Sequence, residues 1–162
     1  MKNVLIYSAL FTLLVFTNSC KDNQNTVSPI LSTEVENALK ATLEDEYKAQ
    51  VTYQRILNDF GKDTRPFVNI KSAEVKHANS ISNLMNNYNL VVPSNEFDVN
   101  EMPTFNTVKE ACALGVIAEI ANIELYDSYL SLDMPADVRI VFENNRSASL
   151  NNHLPAFENC SK

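Results

Sequence analysis

Apolar residues recur at three- and four-residue spacing along most of this chain, and no stretch alternates with the period of two that marks a strand. The pattern predicts four helices. Thr33-x-x-Glu36 reads as a capping box, opening a first helix from about Glu34 to Phe60 that Gly61 stops. Pro66 suits the first turn of a second helix, which runs to about Asn89. Thr107-x-x-Glu110 is a second capping box, and the third helix runs to about Ser131. Pro135 opens the fourth, which ends near Asn159, and Pro155 inside it should kink it by removing a backbone donor.

Connection lengths set the topology. The first and second helices are joined by a short turn, as are the third and fourth, so each pair is expected to form an antiparallel hairpin. Residues 90–106 link the two hairpins and carry Pro93 and Pro103. Extended, that link reaches about 56 Å, against roughly 37 Å for the third helix. It can therefore run the full length of a bundle.

The buried stripes carry the chemistry. The second helix presents Phe67, Ile70, Glu74, His77, Ile81, Leu84 and Tyr88 on one face. The first presents Val35, Leu39, Leu43, Glu46, Ala49, Tyr53, Leu57 and Phe60. The third gives Val108, Cys112, Gly115, Glu119, Asn122, Tyr126 and Tyr129, and the fourth gives Val138, Phe142, Asn145, Ser149, His153, Ala156 and Cys160. Every stripe is interrupted by polar residues near its middle, and both histidines of the protein fall in those interruptions. Buried carboxylates without partners are prohibitively unfavourable, so something must compensate them. A divalent metal does so directly: Glu74 and His77 at i, i+3 point to a shared centre, and Glu46 from the facing helix completes a cage. The structural alternative is a hydrogen-bonded core pair, or a salt bridge. For Glu119, Arg146 is the candidate partner of that bridge.

A weak internal repeat supports the same centre. Glu46 and Tyr53 are seven residues apart, as are Glu119 and Tyr126, and His77 and His153 take matching places in the two hairpins. The tyrosine hydroxyls are expected to bond ligand carboxylates; plain core packing is the alternative. Here the residues resemble a family. Glu46-x-x-Ala49-x-x-x-Tyr53, Glu74-x-x-His77 and Glu119 with Tyr126 are similar to the ferritin–rubrerythrin superfamily of di-iron carboxylate proteins. More narrowly, the segments DEYKAQVTYQRILNDFG, RPFVNIKSAEVKH, GVIAEIANIELYD and NNHLPAF resemble the uncharacterised ferritin-like family called domain of unknown function 2202. The resemblance implies an all-α, ferritin-like four-helix bundle with one or two transition-metal ions in its core. Iron is favoured, with manganese or zinc as alternatives. One departure stands out: the superfamily carries a second Glu-x-x-His on the last helix, and here Leu150 occupies the Glu position. The second site is thus expected to be thin, made of Glu119 and His153 with help from Asn122, Ser149, Asn152 or water.

The register of the last hairpin also predicts a disulfide. If Glu119 faces His153 in an antiparallel pair, then Cys112, two turns before Glu119, faces Cys160, two turns after His153.

Composition narrows the remaining questions. The chain has 162 residues, 13 Lys+Arg against 20 Asp+Glu, and 2 Gly, which fits one helical domain and disfavours a nucleic-acid binder. Met1-Lys2-Asn3 precedes an uncharged, mainly apolar run over residues 4–16, too short to span a bilayer, and Thr17-Asn18-Ser19-Cys20 follows. This layout resembles a bacterial lipoprotein signal in which Cys20 is lipidated, although Thr17 stands where an aliphatic is preferred. The expectation is a signal peptide over 1–19 and a lipid-anchored tether over 20–32, ahead of a domain over 33–162 in the cell envelope. Plain secretion and a retained anchor are the alternatives. The membrane is then the expected partner, a homodimer is admitted, and no protein partner is read from the sequence. Two function classes stay open: an envelope oxidoreductase acting on peroxide or Fe²⁺, and a non-catalytic bundle scaffold with a degenerate metal site. Cys20→Ser should shift the protein from the membrane to the soluble fraction or leave it unprocessed, because each buried CH₂ of a lipid chain contributes about 0.8 kcal/mol. Membrane association unchanged on fractionation would point to a retained apolar segment instead.

Overall fold

The computed structural model describes residues 30–162, and every regular element among them is helical. The elements are α1 (Thr33–Phe60), α2 (Phe67–Asn87), α3 (Val108–Leu130), α4 (Ala136–Ala148) and α5 (Leu154–Cys160), with a π turn over Ser149–His153 between the last two. The signal-like segment, Cys20 and most of the tether lie outside the described residues. No helix among the described residues is long and apolar enough to cross a membrane.

The helix ends follow local chemistry. Ser32, one residue before the expected cap, closes the start of α1 by accepting a hydrogen bond from the Val35 N–H at 3.3 Å. Gly61, at φ 110°, ends that helix in a conformation that a side chain disfavours. At the end of α2, Asn89 takes the left-handed conformation (φ 57°). Its N–H bonds the Asn86 carbonyl and that of Leu90 bonds Met85, which is a Schellman closure. Thr107 caps α3 by accepting from Glu110 N–H, while the Glu110 carboxylate reaches back to the Asn106 N–H. Leu31, expected within the tether over 20–32, is buried, so the packed domain begins two residues before α1.

Cross-helix contacts fix the directions. Glu46 meets His77 while Gln50 meets Glu74, so α1 and α2 are antiparallel. Asn122 meets Ser149 and Asp127 meets Arg146, so α3 and α4 are antiparallel too. Tyr53 bonds Glu119 and Tyr126 bonds Glu46, which makes α1 and α3 antiparallel neighbours. Tyr88–Asp137 and Asn145–Ser80 do the same for α2 and α4. These pairings leave α2 and α3 parallel, so the link between them must traverse the length of the molecule.

The fourth predicted helix is interrupted rather than simply kinked at Pro155. The Leu154 N–H bonds the Ser149 carbonyl, five residues back, so one residue is inserted into the helical ladder. Burial shows the consequence. Asn145, Ser149, His153 and Phe157 are all buried, a spacing of four repeated where an α-helix averages 3.6. The stripe expected through Ala156 therefore runs through Phe157 instead, and Ala156 is only half-buried.

The apolar core is split in two. One lobe gathers Leu39, Leu43, Ile81, Met85 and Phe142; the other gathers Tyr53, Ile56, Phe67, Cys112 and Phe157. Tyr53, Phe67 and Phe157 form a mutual aromatic trio with centroids 5.2–5.6 Å apart. Beside them Cys112 and Cys160 are joined by a disulfide, their Cα atoms 5.7 Å apart. Gly115 lets this lobe close: a Cβ there would lie 2.6 Å from the Phe157 ring. Gly115→Ala should therefore lower stability by roughly 1–2 kcal/mol, the overpacking strain exceeding the helix propensity gained. Chemical denaturation measures this, and an unchanged or raised midpoint would contradict the close approach.

Candidate metal centre

Between the two lobes lies a polar layer. Glu46, Glu74, His77, Glu119 and His153 are 0%, 2%, 8%, 2% and 4% exposed. Each has a buried apolar residue one turn away on its own stripe, Leu43, Ile70, Ile81, Ile123 and Phe157 respectively, so the fold carries them inward whatever their own preference.

Their reactive atoms converge. His77 Nδ1 lies 2.8 Å from Glu74 Oε2 and 3.4 Å from Glu46 Oε2. His153 Nδ1 lies 3.2 Å from Glu74 Oε1 and 3.4 Å from Glu119 Oε2. These atoms make two groups, Glu46–Glu74–His77 and Glu74–Glu119–His153, either of which could hold a metal ion. The second group contains a residue that sequence spacing assigns only to the first: Glu74 offers one carboxylate oxygen to each. The imidazoles stack with centroids 5.4 Å apart and planes 22° from parallel.

Close as they are, these atoms do not satisfy one another. Glu46 Oε2, Glu74 Oε2, Glu119 Oε2 and both Nδ1 atoms are buried without a hydrogen-bond partner, because the short His–Glu contacts lie off the N–H direction. Orphaned buried groups are costly, and here all are oxygen or nitrogen lone-pair donors facing shared spaces. That donor chemistry fits a divalent transition metal at each group.

The outer oxygens, in contrast, are held. Tyr126 donates to Glu46 Oε1 at 2.7 Å and Tyr53 donates to Glu119 Oε1 at 2.9 Å. Each tyrosine thus orients the carboxylate of the opposite hairpin. Asn145 donates to the Tyr126 hydroxyl at 3.1 Å, and the Gln50 side chain donates to the Glu74 carbonyl.

Several expected helpers are placed elsewhere. Asn122 donates to Asp45 at 2.8 Å and more weakly to Glu46, and its carbonyl accepts from Ser149; the two residues bond each other rather than face His153. Asn152 is exposed, carried outward by the π turn. Arg146, considered as a partner for Glu119, pairs with Asp127 at the surface instead. Leu150 is 38% exposed, so no carboxylate mirrors Glu74 from the last helix.

Burial pushes Glu46 up to about 8 and raises Glu119, while both tyrosines are raised well above the usual phenol range by burial and the adjacent carboxylates. Burial opposes charge on His77 and His153, but their carboxylate neighbours outweigh it and hold them up at about 9 and about 10. Burial also opposes ionisation of Glu74, yet the two imidazoles overcome it and hold that carboxylate low.

A half-enclosed cavity of about 490 Å³ opens between α1 and α3 and reaches Glu74 and Glu119. Sequence reasoning missed its lining, including Asp45, Glu101 and Met102. The signal was available in α3, which has Leu114, Ile117, Ala118 and Ala121 in addition to its core stripe. A shallower groove of about 610 Å³, near Gln50, Lys71 and Phe97, meets none of the five side chains.

No family model matches the chain, and no curated protein does. Among solved structures, a crystal structure of a hypothetical protein from Methanococcus jannaschii DSM 2661 is similar, with 22% identity, a TM-score of 0.70 and 82% of each chain covered. At that identity the likeness concerns the fold alone.

Proton competition gives a prediction. His77, His153 and Glu46 titrate above their unfolded values, so without an ion they contribute stability at low pH. For the histidines it is fully present below about pH 6.5 and lost as pH rises through about 9 to 10. Metal binding needs the same lone pairs free. Affinity for a divalent ion should therefore climb from about pH 6 to about pH 9 while the thermal midpoint of the metal-free protein falls. Co²⁺ titration and calorimetry across that range measure both, and a pH-independent affinity would contradict the lone-pair reading.

Proposed function

We propose that this chain is a ferritin-like protein of the cell envelope, lipid-anchored at Cys20. In this reading it binds two transition-metal ions, iron favoured over manganese or zinc, and exchanges electrons with peroxide or Fe²⁺. The observation that carries it is the set of five buried lone-pair atoms without hydrogen-bond partners, grouped into two clusters that share Glu74. The family reading is supported by the Glu74-x-x-His77 spacing and by antiparallel neighbours enclosing a parallel α2–α3 diagonal, the arrangement that one long crossover produces.

Two bound Fe²⁺ would supply the two electrons that convert H₂O₂ and two protons to two waters, becoming Fe³⁺. The chain's own part is positioning. Glu74 would contribute a carboxylate oxygen to each group, Oε2 beside His77 and Oε1 beside His153. Glu46 with His77, and Glu119 with His153, would each add one oxygen and one nitrogen, a mixed hard donor set without thiolate that suits iron or manganese. Tyr53 and Tyr126 fix the terminal carboxylates, so the lone pairs need little rearrangement on loading. Each group would offer an ion three protein donors, and the α1–α3 cavity reaches two of the residues that supply them, Glu74 and Glu119.

A non-catalytic scaffold is the second reading, and Leu150 in place of a second bridging carboxylate favours it. Metal content separates the two. Protein loaded with Fe²⁺ under anaerobic conditions and desalted should hold about two ions per chain, with Glu46→Ala and Glu119→Ala keeping about one and Glu74→Ala almost none. Elemental analysis reads this directly. Negligible metal in wild type and Glu74→Ala alike would sink the proposal and leave the scaffold.

A further inference from the structure

A solvent-facing helix normally presents polar side chains outward. α3 departs from this along the face toward α1, where Leu114, Ile117, Ala118 and Ala121 line the cavity and Ile117 is 65% exposed. Ala49 of α1 and Met102 of the α2–α3 link also line it, the Met102 sulfur accepting a hydrogen bond from Thr52 at 3.2 Å. The buried inner end is polar, formed by Tyr53, Glu74 and Glu119, and Thr52 and Asn122 add polar groups to the walls. Asp45, Lys48 and Glu101 stand among the lining as its other charged side chains, two acids against one base.

These features describe more than a route for water or peroxide. A cavity of about 490 Å³ is in the range that encloses organic ligands. Its apolar walls match an apolar body, and its carboxylates, inner and outer, disfavour an organic anion. The geometry points to a binding site for an uncharged, largely apolar organic molecule bearing a hydroxyl at the end that meets Glu74 and Glu119. That this inner end is the reacting end rests on the proposed function; binding in the cavity does not.

The test uses two fluorescent probes of one shape and different charge, 2-naphthol and 2-naphthoate, on the full-length protein near pH 7. Saturable binding of 2-naphthol is expected with the metal-free protein, with 2-naphthoate weaker by about tenfold or more. Ala121→Trp and, independently, Leu114→Trp should each fill the cavity and weaken 2-naphthol by about tenfold or more while helical content and Co²⁺ uptake are kept. In Co²⁺-loaded protein, 2-naphthol should perturb the visible absorption of the ion. Absence of saturable 2-naphthol binding, equal affinity for the anion, or indifference to both tryptophan variants would overturn the site. Loss of Co²⁺ uptake with 2-naphthol still bound would remove the proposed function and support the cavity assignment.

Discussion

Three carboxylates and two imidazoles buried in one layer of a helical core set the terms for the rest of this molecule. Water cannot solvate them there, and among the described residues no arginine or lysine is buried with them to neutralise them. Compensation has to come from within the layer or from an ion. The tyrosines take the outer oxygens of Glu46 and Glu119, while the inner atoms meet in close imidazole–carboxylate contacts that lack hydrogen-bond geometry. The apolar residues are organised around this layer, as two lobes on either side of it.

The lobes explain how such a layer is tolerated. Each contributes an apolar block of its own, one closed by Phe142 and Met85 and the other by the aromatic trio, Gly115 and the Cys112–Cys160 bridge. The bridge ties the far end of α5, one short helix beyond the π turn, to α3. The polar layer is thus held from both ends by parts of the structure that do not share its chemistry.

Much of this was legible because helical periodicity is a simple rule. Glu46, Glu74, His77, Glu119 and His153 stood out as polar residues in apolar stripes, and burial places all five inside. Cys112 and Cys160 followed from antiparallel register alone. Three features were not legible. The inserted residue at Ser149–His153 moves the buried stripe from Ala156 to Phe157, and no composition signal announces a π turn. The sharing of Glu74 depends on rotamers that spacing does not specify. Arg146 was a plausible partner for Glu119 by distance along the chain, but its side chain leaves the helix on the face toward Asp127.

The crossed tyrosines have a consequence for how the two halves of the chain depend on each other. The repeat unit in sequence is the hairpin, yet neither hairpin contains both a terminal carboxylate and the phenol that orients it: Tyr53 serves Glu119 and Tyr126 serves Glu46. A hairpin alone would therefore present a carboxylate free to rotate and a hydroxyl with nothing to hold. Grafting one hairpin onto a foreign partner would succeed only if that partner carried a tyrosine and a glutamate in the same antiparallel register. The exchangeable module is the α1–α3 pair, which is discontinuous in the chain.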